Sequence, residues 1–426
     1  MYDWANSVFS LVITSAIFPV YYEHLSQKTG LCNNLPGGQL QCVVDFWGIK
    51  MASSALYSYS LSAAFLIVAL IIPFLSGIAD AGNLRKKFMK FFCYVGCMSC
   101  GLLYFFTEEF FEWGVLFFIL GMVGFTASIV FYNAFLPEIA GTDNVDKISA
   151  RGFSLGYLGS SVLLVLILVF IKWNETAQFM EGTILIRYSF VVTGLWWFGF
   201  AQFTFLNLNE KHCLNTDCQQ SALSGLKKLS LAWKYTSAHP LLKKYLLGYF
   251  FASMGLQTAL YMATIYGSQI LQLSSFKLIL TILLTQLLGI FGAHVMAFLS
   301  GKIGNISGLR FCVLVWIGIS VWAYFLKTET GFYIMAFMAG MMMGGMQSLF
   351  RSTYATLIAG RPTEYASFYS FYDVSEKVAI VFGTFAFGFV SDLTGNIRYS
   401  ALMLSAFFLM CMLVLLRIKK NGVVTG

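Results

Sequence analysis

The run SSALYSYSLSAAFLIVALIIPFL, from Ser53 to Leu75, contains no charged side chain. A helix rises about 1.5 Å per residue, so about 20 mostly apolar residues cross the hydrocarbon core of a bilayer. Strands of a membrane barrel would instead alternate apolar and polar residues over segments of about ten residues. The second half of this run is continuously apolar, so the run predicts one membrane-spanning helix.

The rest of the chain repeats this pattern. It is 58% hydrophobic and only 11% charged, whereas soluble proteins carry about 25% charged residues. Its 38 glycines suit helices that pack closely inside a membrane. We therefore expect an all-α integral membrane protein whose partner is the lipid bilayer. The twelve predicted spans are Trp4–Tyr22, Ser53–Leu75, Phe88–Phe106, Phe111–Leu136, Phe153–Ile171, Leu185–Leu206, Leu242–Ser268, Leu278–Leu299, Phe311–Leu326, Phe332–Phe350, Ala366–Val390 and Ala401–Leu416.

The distribution of positive charge predicts how these spans are oriented. Of the 27 Lys and Arg residues, eighteen fall on the side of the N-terminus and seven fall on the other side. Cytoplasmic loops are the ones enriched in Lys and Arg, so both termini are predicted to be cytoplasmic. The same bias accounts for the net charge of +8, and no nucleic-acid partner is needed to explain it.

The long loop after span six divides the chain into two halves. We expect a six-helix bundle at residues 1–206, a cytoplasmic linker at 207–240 with an amphipathic interfacial helix, and a second six-helix bundle at 241–426. The tetrapeptide FLSG ends spans two and eight, and the tripeptide IAG follows spans four and ten. These repeats predict two pseudo-symmetric bundles, a pattern that transporters show.

The stretch FYDVSEKVAI, Phe371 to Ile380, places three charges inside span eleven. A charge at mid-bilayer costs about 2.5–3.5 kcal/mol unless it is paired or faces water. Asp373 and Lys377 are four residues apart and can form an ion pair on one helix face. Glu376 would then have no basic partner within this stretch. Two interpretations remain open. The pair is inert and Glu376 lies near the interface, or Lys377 acts with Glu376 or Asp373 to bind a zwitterion or relay a proton.

Other polar residues in or beside the spans are further candidates for substrate binding or coupling. Each has a plainer alternative: a charge that reaches the interface, a polar contact between helices, or an acid at a helix start. Glu138 could form a gate with Arg151 or Arg85, or it could be an ordinary loop acid. The binding or coupling candidates are Arg351, Gln257, Tyr261, Asn133, Tyr132, Asn6 and Asp3.

The loop SGIADAGNLRKK, Ser76 to Lys87, resembles the loop signature of the major facilitator superfamily, and GKIGNISGLR, from Gly301, is its fainter counterpart. The resemblance implies a conformational role for Gly77, Asp80 and Arg85. Four further stretches look like the Unknown Major Facilitator branch, which includes vacuolar amino-acid effluxers associated with autophagy. They are YDWANSVF, NAFLPEIA, DKISARGFSLGYLGS, and QSLFRSTYATLIAG together with FYSFYDVSEKVAIVFG.

That resemblance implies the major facilitator fold and a secondary transporter that works by alternating access. Spans one, four, seven and ten would line the cavity, and spans two, five, eight and eleven would meet across the two halves. The implied substrate is a small polar or zwitterionic solute. We favour an amino acid, exported with proton coupling by a monomer in a bacterial inner membrane. The alternatives are an uncoupled facilitator of another small solute and a receptor on the same fold that transports nothing.

Enzyme and metal motifs are missing from the sequence. No HExxH, P-loop or paired CxxC occurs, and the chain has only 4 His, so we expect no catalytic residue, no cofactor and no metal site. The match of GFSLG to the G-x-S-x-G pattern is rejected, because that pattern needs a preceding strand. Cys32 and Cys42 share the predicted outer loop from Glu23 to Ala52. The sequence does not decide whether they form a disulfide or remain free thiols.

Overall fold

A computed structural model describes residues 1–34, 40–82, 84–133, 135, 145–208, 230, 233–358 and 365–418. In that part of the chain, twelve helices are long and apolar enough to cross a membrane, which confirms the predicted number of spans. They are α1 Tyr2–Thr29, α2 Ser53–Gly82, α3 Arg85–Leu102, α4 Phe111–Asn133, α5 Val145–Ala177, α6 Gly182–Asn207, α7 Pro240–Leu271, α8 Ser275–Ile303, α9 Asn305–Phe325, α10 Glu329–Ile358, α11 Tyr365–Thr394 and α12 Ile397–Leu416.

Most helices extend beyond the apolar runs that predicted them. The first continues to Thr29, well past the predicted end at Tyr22. Polar residues at the membrane surface keep their backbone hydrogen bonds by remaining helical, so hydropathy alone ends a helix too early. Pro240 begins α7, where its missing N–H leaves no hydrogen bond unmade. The predicted interfacial helix of the linker lies almost wholly outside the described residues.

The first helix changes its winding halfway along its length. Residues Phe9–Ile17 form a π-helix between two α-helical segments. Pro19 lies in the first turn of the segment that follows, and it has no N–H to donate to the preceding turn. The hydroxyls of Thr14 and Ser15 bond to carbonyls five residues earlier, at 3.3 and 3.0 Å. Such local adjustments satisfy the backbone around proline in membrane helices.

The chain forms two compact units. The first comprises Met1–Gly30, Val44–Lys50 and Ala63–Leu226, and the second comprises Leu31–Val43, Met51–Ser62 and Lys227–Gly426. The second unit therefore includes the first third of α2 as well as helices α7 to α12. The predicted division at residues 1–206, 207–240 and 241–426 stays a prediction, because most of the linker lies outside the described residues.

Aromatic side chains form much of the core of the first unit, where α1 packs on α5 and α6, and α3 packs on α4 and α6. The Phe18 and Phe118 rings stack with centroids 4.0 Å apart. Trp197 is fully buried and lies against Gly96, where an added Cβ would fall 2.3 Å from the indole ring. The glycine on α3 is thus what lets α6 approach so closely.

Backbones approach most closely between α8 and α10 in the second unit. A Cβ added to Gly344 would lie 1.8 Å from the carbonyl oxygen of Gly289, and one added to Gly340 would lie 2.7 Å from that of Thr285. Both glycines belong to the G-x-x-x-G of GMMMG, a pattern that allows close helix packing in membranes. In the same unit α7 packs on α11 and α12, and α9 packs on α12.

Between α1 and α2 the chain forms a small sheet that the sequence analysis did not predict. Strands β1 Leu31–Asn34, β2 Leu40–Phe46 and β3 Ile49–Ala52 are ordered β1-β2-β3. Cys32 and Cys42 face each other across the antiparallel β1–β2 pair, and a disulfide joins them. The turn between β2 and β3 uses Trp47 and Gly48, both with positive φ, as two-residue hairpin turns require.

A row of three serine hydroxyls joins α2 to α11 within the second unit. Ser54 shares a 2.6 Å hydrogen bond with Ser391, Ser58 donates to the Thr384 carbonyl, and Ser62 donates to the Val381 carbonyl at 3.0 Å. Residues four apart lie on one helix face, and all three serines are buried. We call Ser54, Ser58 and Ser62 the hydroxyl ladder.

The tetrapeptide IRYS occurs twice, at Ile186–Ser189 and Ile397–Ser400, and performs the same task in each unit. Arg187 donates to the Tyr104 carbonyl in the turn just after α3, and Arg398 donates to the Tyr324 carbonyl in the last turn of α9 at 2.9 Å. A cation beside the unpaired carbonyls at a helix C-terminus is stabilising. At the opposite ends, Lys86 and Arg310 bond to carbonyls that end α6 and α12. The α3–α6 and α9–α12 pairs therefore follow one plan.

Candidate functional site

Helices α7 and α11 approach closely in the second unit and bring polar side chains together. A Cβ added to Gly383 of α11 would lie 2.5 Å from the Met254 carbonyl oxygen of α7. Tyr249, Gln257 and Tyr261 follow one stripe of α7 at multiples of four residues, which places them on one face. Asp373, Glu376 and Lys377 occupy a facing stretch of α11. We call these six residues the α7–α11 cluster.

Glu376 is bonded to side chains of both helices of the cluster. Its Oε2 accepts from Lys377 Nζ at 3.3 Å, and its Oε1 accepts from Gln257 Nε2 at 2.8 Å. The side chains are only partly exposed, at 25% for Lys377 and 20% for Glu376. Both oxygens of this carboxylate are therefore occupied, one by a cation on the same helix and one by an amide on the other helix.

Asp373 lies one turn before Lys377 and is half-buried. Among the residues that the structure describes, its carboxylate makes no hydrogen bond and no ion pair. The charges of Lys377, Glu376 and Arg351 all act on it. From the sequence, an ion pair between Asp373 and Lys377 was possible but not decided. In the structure Lys377 bonds to the neighbouring acid, Glu376.

Tyrosines that the sequence analysis missed surround these charges. The rings of Tyr249 and Tyr372 stack with centroids 3.9 Å apart, and Tyr354 packs on Tyr372 at 4.8 Å. The spacing of Tyr249 eight residues before Gln257 was a usable signal, because it continues the polar stripe of α7. Tyr57 offered no such signal, because only the tertiary structure places this α2 side chain within the electrostatic reach of Tyr261.

Arg351, from α10, is exposed, yet its charge reaches both Asp373 and Tyr372. Of the predicted candidates, Gln257 bonds to Glu376 of α11. Tyr261 and Arg351 interact electrostatically with the acids of α11 in the same unit. Two acids and two bases are present, so opposite charges can be offered to one solute.

A second polar cluster lies in the first unit, where α1, α4 and α5 meet. Tyr132 donates its hydroxyl to Asp3 Oδ2 at 2.5 Å. Gly152 of α5 leaves room for this carboxylate, since a Cβ there would lie 2.5 Å from the same oxygen. Asn6 is 2% exposed, and its Nδ2 has no hydrogen-bond partner among the described residues. Asn133, by contrast, is exposed at the last residue of α4.

The predicted gate residues are mostly beyond what the structure describes. Glu138 and the side chains of Gly77, Asp80 and Arg151 lie outside the described residues. Arg85 is half-buried at the first residue of α3. No group of His, Cys, Asp and Glu that could hold a metal ion occurs among the residues with a described placement.

Comparison with known proteins identifies the family. The family model described as "Vacuole effluxer Atg22 like" matches residues 1–422. The MFS-type transporter YxiO of Bacillus subtilis is 28% identical over 417 residues, which cover 97% of this chain and 92% of that protein. Autophagy-related protein 22-1 of Emericella nidulans is 24% identical over 509 residues, which cover 93% of this chain and 85% of that protein.

A solved structure shows the fold at lower sequence identity. The nucleoside transporter NupG aligns with a TM-score of 0.68 and 11% identity, covering 98% of this chain and 97% of that one. The twelve helices and the near-complete family match agree with this fold. The chain belongs to the Atg22-like vacuole effluxer family and is an integral membrane transporter of the major facilitator fold, not an enzyme.

Proposed function

We propose that this transporter moves a small zwitterionic solute, an amino acid in the first instance, out of the cytoplasm by alternating access with proton coupling. The observation that supports the proposal is the α7–α11 cluster, where two acids, Lys377 and the nearby Arg351 interact electrostatically. Charges inside a span are costly unless they are paired or face water, and they commonly mark a solute or proton pathway. A cluster with both signs suits a solute that carries both signs.

The binding chemistry follows from the charges. The solute carboxylate would pair with Lys377 or Arg351, and its ammonium group would pair with a carboxylate of α11. Gln257 and Tyr261 offer neutral polar contacts beside these charges. Charge-assisted hydrogen bonds are about twice as strong as neutral ones, so the two ends of the zwitterion would contribute most of the affinity.

The direction and the location of the transporter are part of the proposal. Export is favoured by the description of the matching family as an effluxer. The Bacillus relative and the Lys and Arg distribution favour a bacterial inner membrane with both termini in the cytoplasm. We further propose a monomer. Fluorescence of a C-terminal green fluorescent protein tests the orientation, and light scattering in detergent tests the oligomeric state.

The test of the function is uptake of a mixed amino-acid pool into proteoliposomes under an imposed pH gradient. Wild type is compared with Lys377→Ala and with the control Lys302→Ala. Lys302 is also a helix lysine, but its Nζ lies over the Phe298 ring at 4.4 Å near the end of α8, away from the cluster. We expect the gradient to stimulate uptake of one or more amino acids, Lys377→Ala to abolish that uptake, and Lys302→Ala to preserve it.

Two other results would contradict the proposal in different ways. Uptake that ignores the pH gradient would indicate an uncoupled facilitator. If no amino acid moves, the amino-acid assignment fails and the pool must widen to sugars and peptides. Equal loss in both lysine variants would show that the cluster has no special part in transport.

A further inference from the structure

The two acids of the α7–α11 cluster differ in their contacts. Glu376 uses both oxygens, one for Lys377 at 3.3 Å and one for Gln257 at 2.8 Å. Asp373 bonds to no residue that the structure describes, although it is half-buried in a span. An unpaired carboxylate is costly in such a place, and a protonated carboxylic acid costs much less because it carries no charge. The two acids therefore suit different tasks.

Resting on the proposed function, we infer that Asp373 is the group that binds the coupled proton, while Glu376 and Gln257 are positioning residues that hold Lys377 in place for the solute. The step is a simple protonation, in which the Asp373 carboxylate takes one proton from water and becomes a carboxylic acid. No bond other than this O–H forms, and the same proton is returned to water on the other side of the membrane.

The surroundings of Asp373 come from three helices. On α11 it faces the charges of Lys377 and Glu376 and lies beside the Tyr372 phenol. The charge of Arg351 on α10 acts on Asp373, and Asp373 acts on the Tyr249 phenol of α7. Asp373, Glu376, Lys377 and the nearby Arg351 are two acids and two bases, so these four groups sum to zero charge when all are ionised. Protonation of Asp373 changes the summed charge of these four groups to plus one.

That change of charge links the proton to the solute. Asp373 stands four residues before Lys377 on one helix face, and Glu376 accepts from Lys377 Nζ at 3.3 Å, so both acids lie within reach of one lysine. When Asp373 is ionised, it competes with Glu376 for the Lys377 ammonium. When Asp373 is protonated, that competition ends and Lys377 stays with Glu376, where Gln257 fixes the carboxylate from the other helix. The anionic end of a solute then meets a different charge in each state.

The first experiment needs no solute. Infrared difference spectra of the purified protein in lipid are recorded during a pH titration, and the carbonyl stretch of protonated carboxylic acids is followed. We compare wild type, Asp373→Asn, and Asp392→Asn as a matched control. Asp392 lies on the same helix but accepts from the Ala52 amide at 3.0 Å, away from the cluster. We expect one titrating band to be lost in Asp373→Asn and kept in Asp392→Asn. A wild-type pattern in Asp373→Asn would overturn the inference.

The second experiment separates the proton from the solute. Gradient-driven uptake and solute exchange without a gradient are both measured in proteoliposomes with the transported amino acid. Asp373→Asn should lose the stimulation by the gradient while measurable exchange remains, and Asp392→Asn should keep both. Glu376→Gln should keep the stimulation but raise the KM, because Lys377 loses its anchoring charge. The reverse pattern, with Glu376→Gln losing the stimulation and Asp373→Asn keeping it, would overturn the assignment.

The two readouts keep this inference distinct from the proposed function. If wild type moves no amino acid but the infrared band disappears in Asp373→Asn, the amino-acid assignment fails and the proton site stands. If wild type is stimulated by the gradient and Asp373→Asn is stimulated equally, the proposed function stands and the proton site fails.

Discussion

Removing the hydroxyl ladder should loosen the first third of α2 from α11. The triple variant Ser54→Ala, Ser58→Ala, Ser62→Ala deletes one hydroxyl–hydroxyl bond and two hydroxyl–carbonyl bonds. Hydrogen bonds between membrane helices average about 0.6 kcal/mol each, so the three together contribute about 1.8 kcal/mol. Since 1.4 kcal/mol corresponds to about a factor of ten, the detached segment should become about 20-fold more populated.

Hydrogen–deuterium exchange measures this population in protein held in nanodiscs. Amides of residues 53–62 exchange when the segment leaves its packing and frays, so their protection reports the opening free energy. We expect these amides to exchange about 20-fold faster in the triple variant than in wild type. Residues 305–325 of α9 make no part of the ladder and should exchange at the wild-type rate.

Ser60→Ala is the matched control. Its hydroxyl is equally buried, at 3% exposed, but bonds to the Leu56 carbonyl of its own helix at 2.7 Å. Alanine is the better helix former by several tenths of a kcal/mol, so this variant should exchange no faster than wild type. Wild-type exchange in the triple variant, or equal acceleration in Ser60→Ala, would refute the reasoning that the ladder holds the segment to α11.

Three further predictions concern the stability of each unit. Arg398→Met removes the bonds to carbonyls beside the end of α9 and should destabilise the protein by about 2 kcal/mol, seen as a lower melting temperature in detergent. An unchanged melting temperature would contradict the role of the IRYS repeat. Gly344→Leu places atoms into the backbone of α8 and should reduce the yield of monodisperse protein on size exclusion, whereas Gly301→Leu, with no atom within 4 Å of its added Cβ, should not. Replacing Cys32 and Cys42 by serine opens a loop of about ten residues and should cost about 2–3 kcal/mol, so limited proteolysis within residues 31–52 should accelerate. Equal cleavage rates would show that the sheet holds without the disulfide.

The number and place of the helices could be read from the sequence, because hydropathy is a local property and lipid offers the backbone no hydrogen bonds. Each predicted span lies within or close to the helix observed. The exact ends of the helices could not be predicted, because helices continue through polar residues at the membrane surface. The first helix ends at Thr29 and α8 begins at Ser275, both outside the predicted spans. The sheet at residues 31–52 was missed, since its pairing joins residues on both sides of a turn and loop, and no apolar run marks it.

The charges of α11 were also visible in the sequence, because an ion in an apolar run stands out. Their partners were not. Spacing along one helix allowed Asp373 to pair with Lys377, but the structure bonds Lys377 to Glu376, whose other oxygen is occupied by Gln257 of α7. An amide on another helix is invisible to any periodicity within α11.

The IRYS repeat shows the same limit in another form. The two copies stand in the printed sequence, yet nothing local says that each arginine bonds to carbonyls beside the end of another helix. By itself the sequence determined the twelve spans, the charges of α11 and the family resemblance, all of which depend on residue type and order. Only the tertiary structure decided which side chains meet, and that the first third of α2 belongs with α7 to α12, because packing and hydrogen bonds join residues hundreds of positions apart.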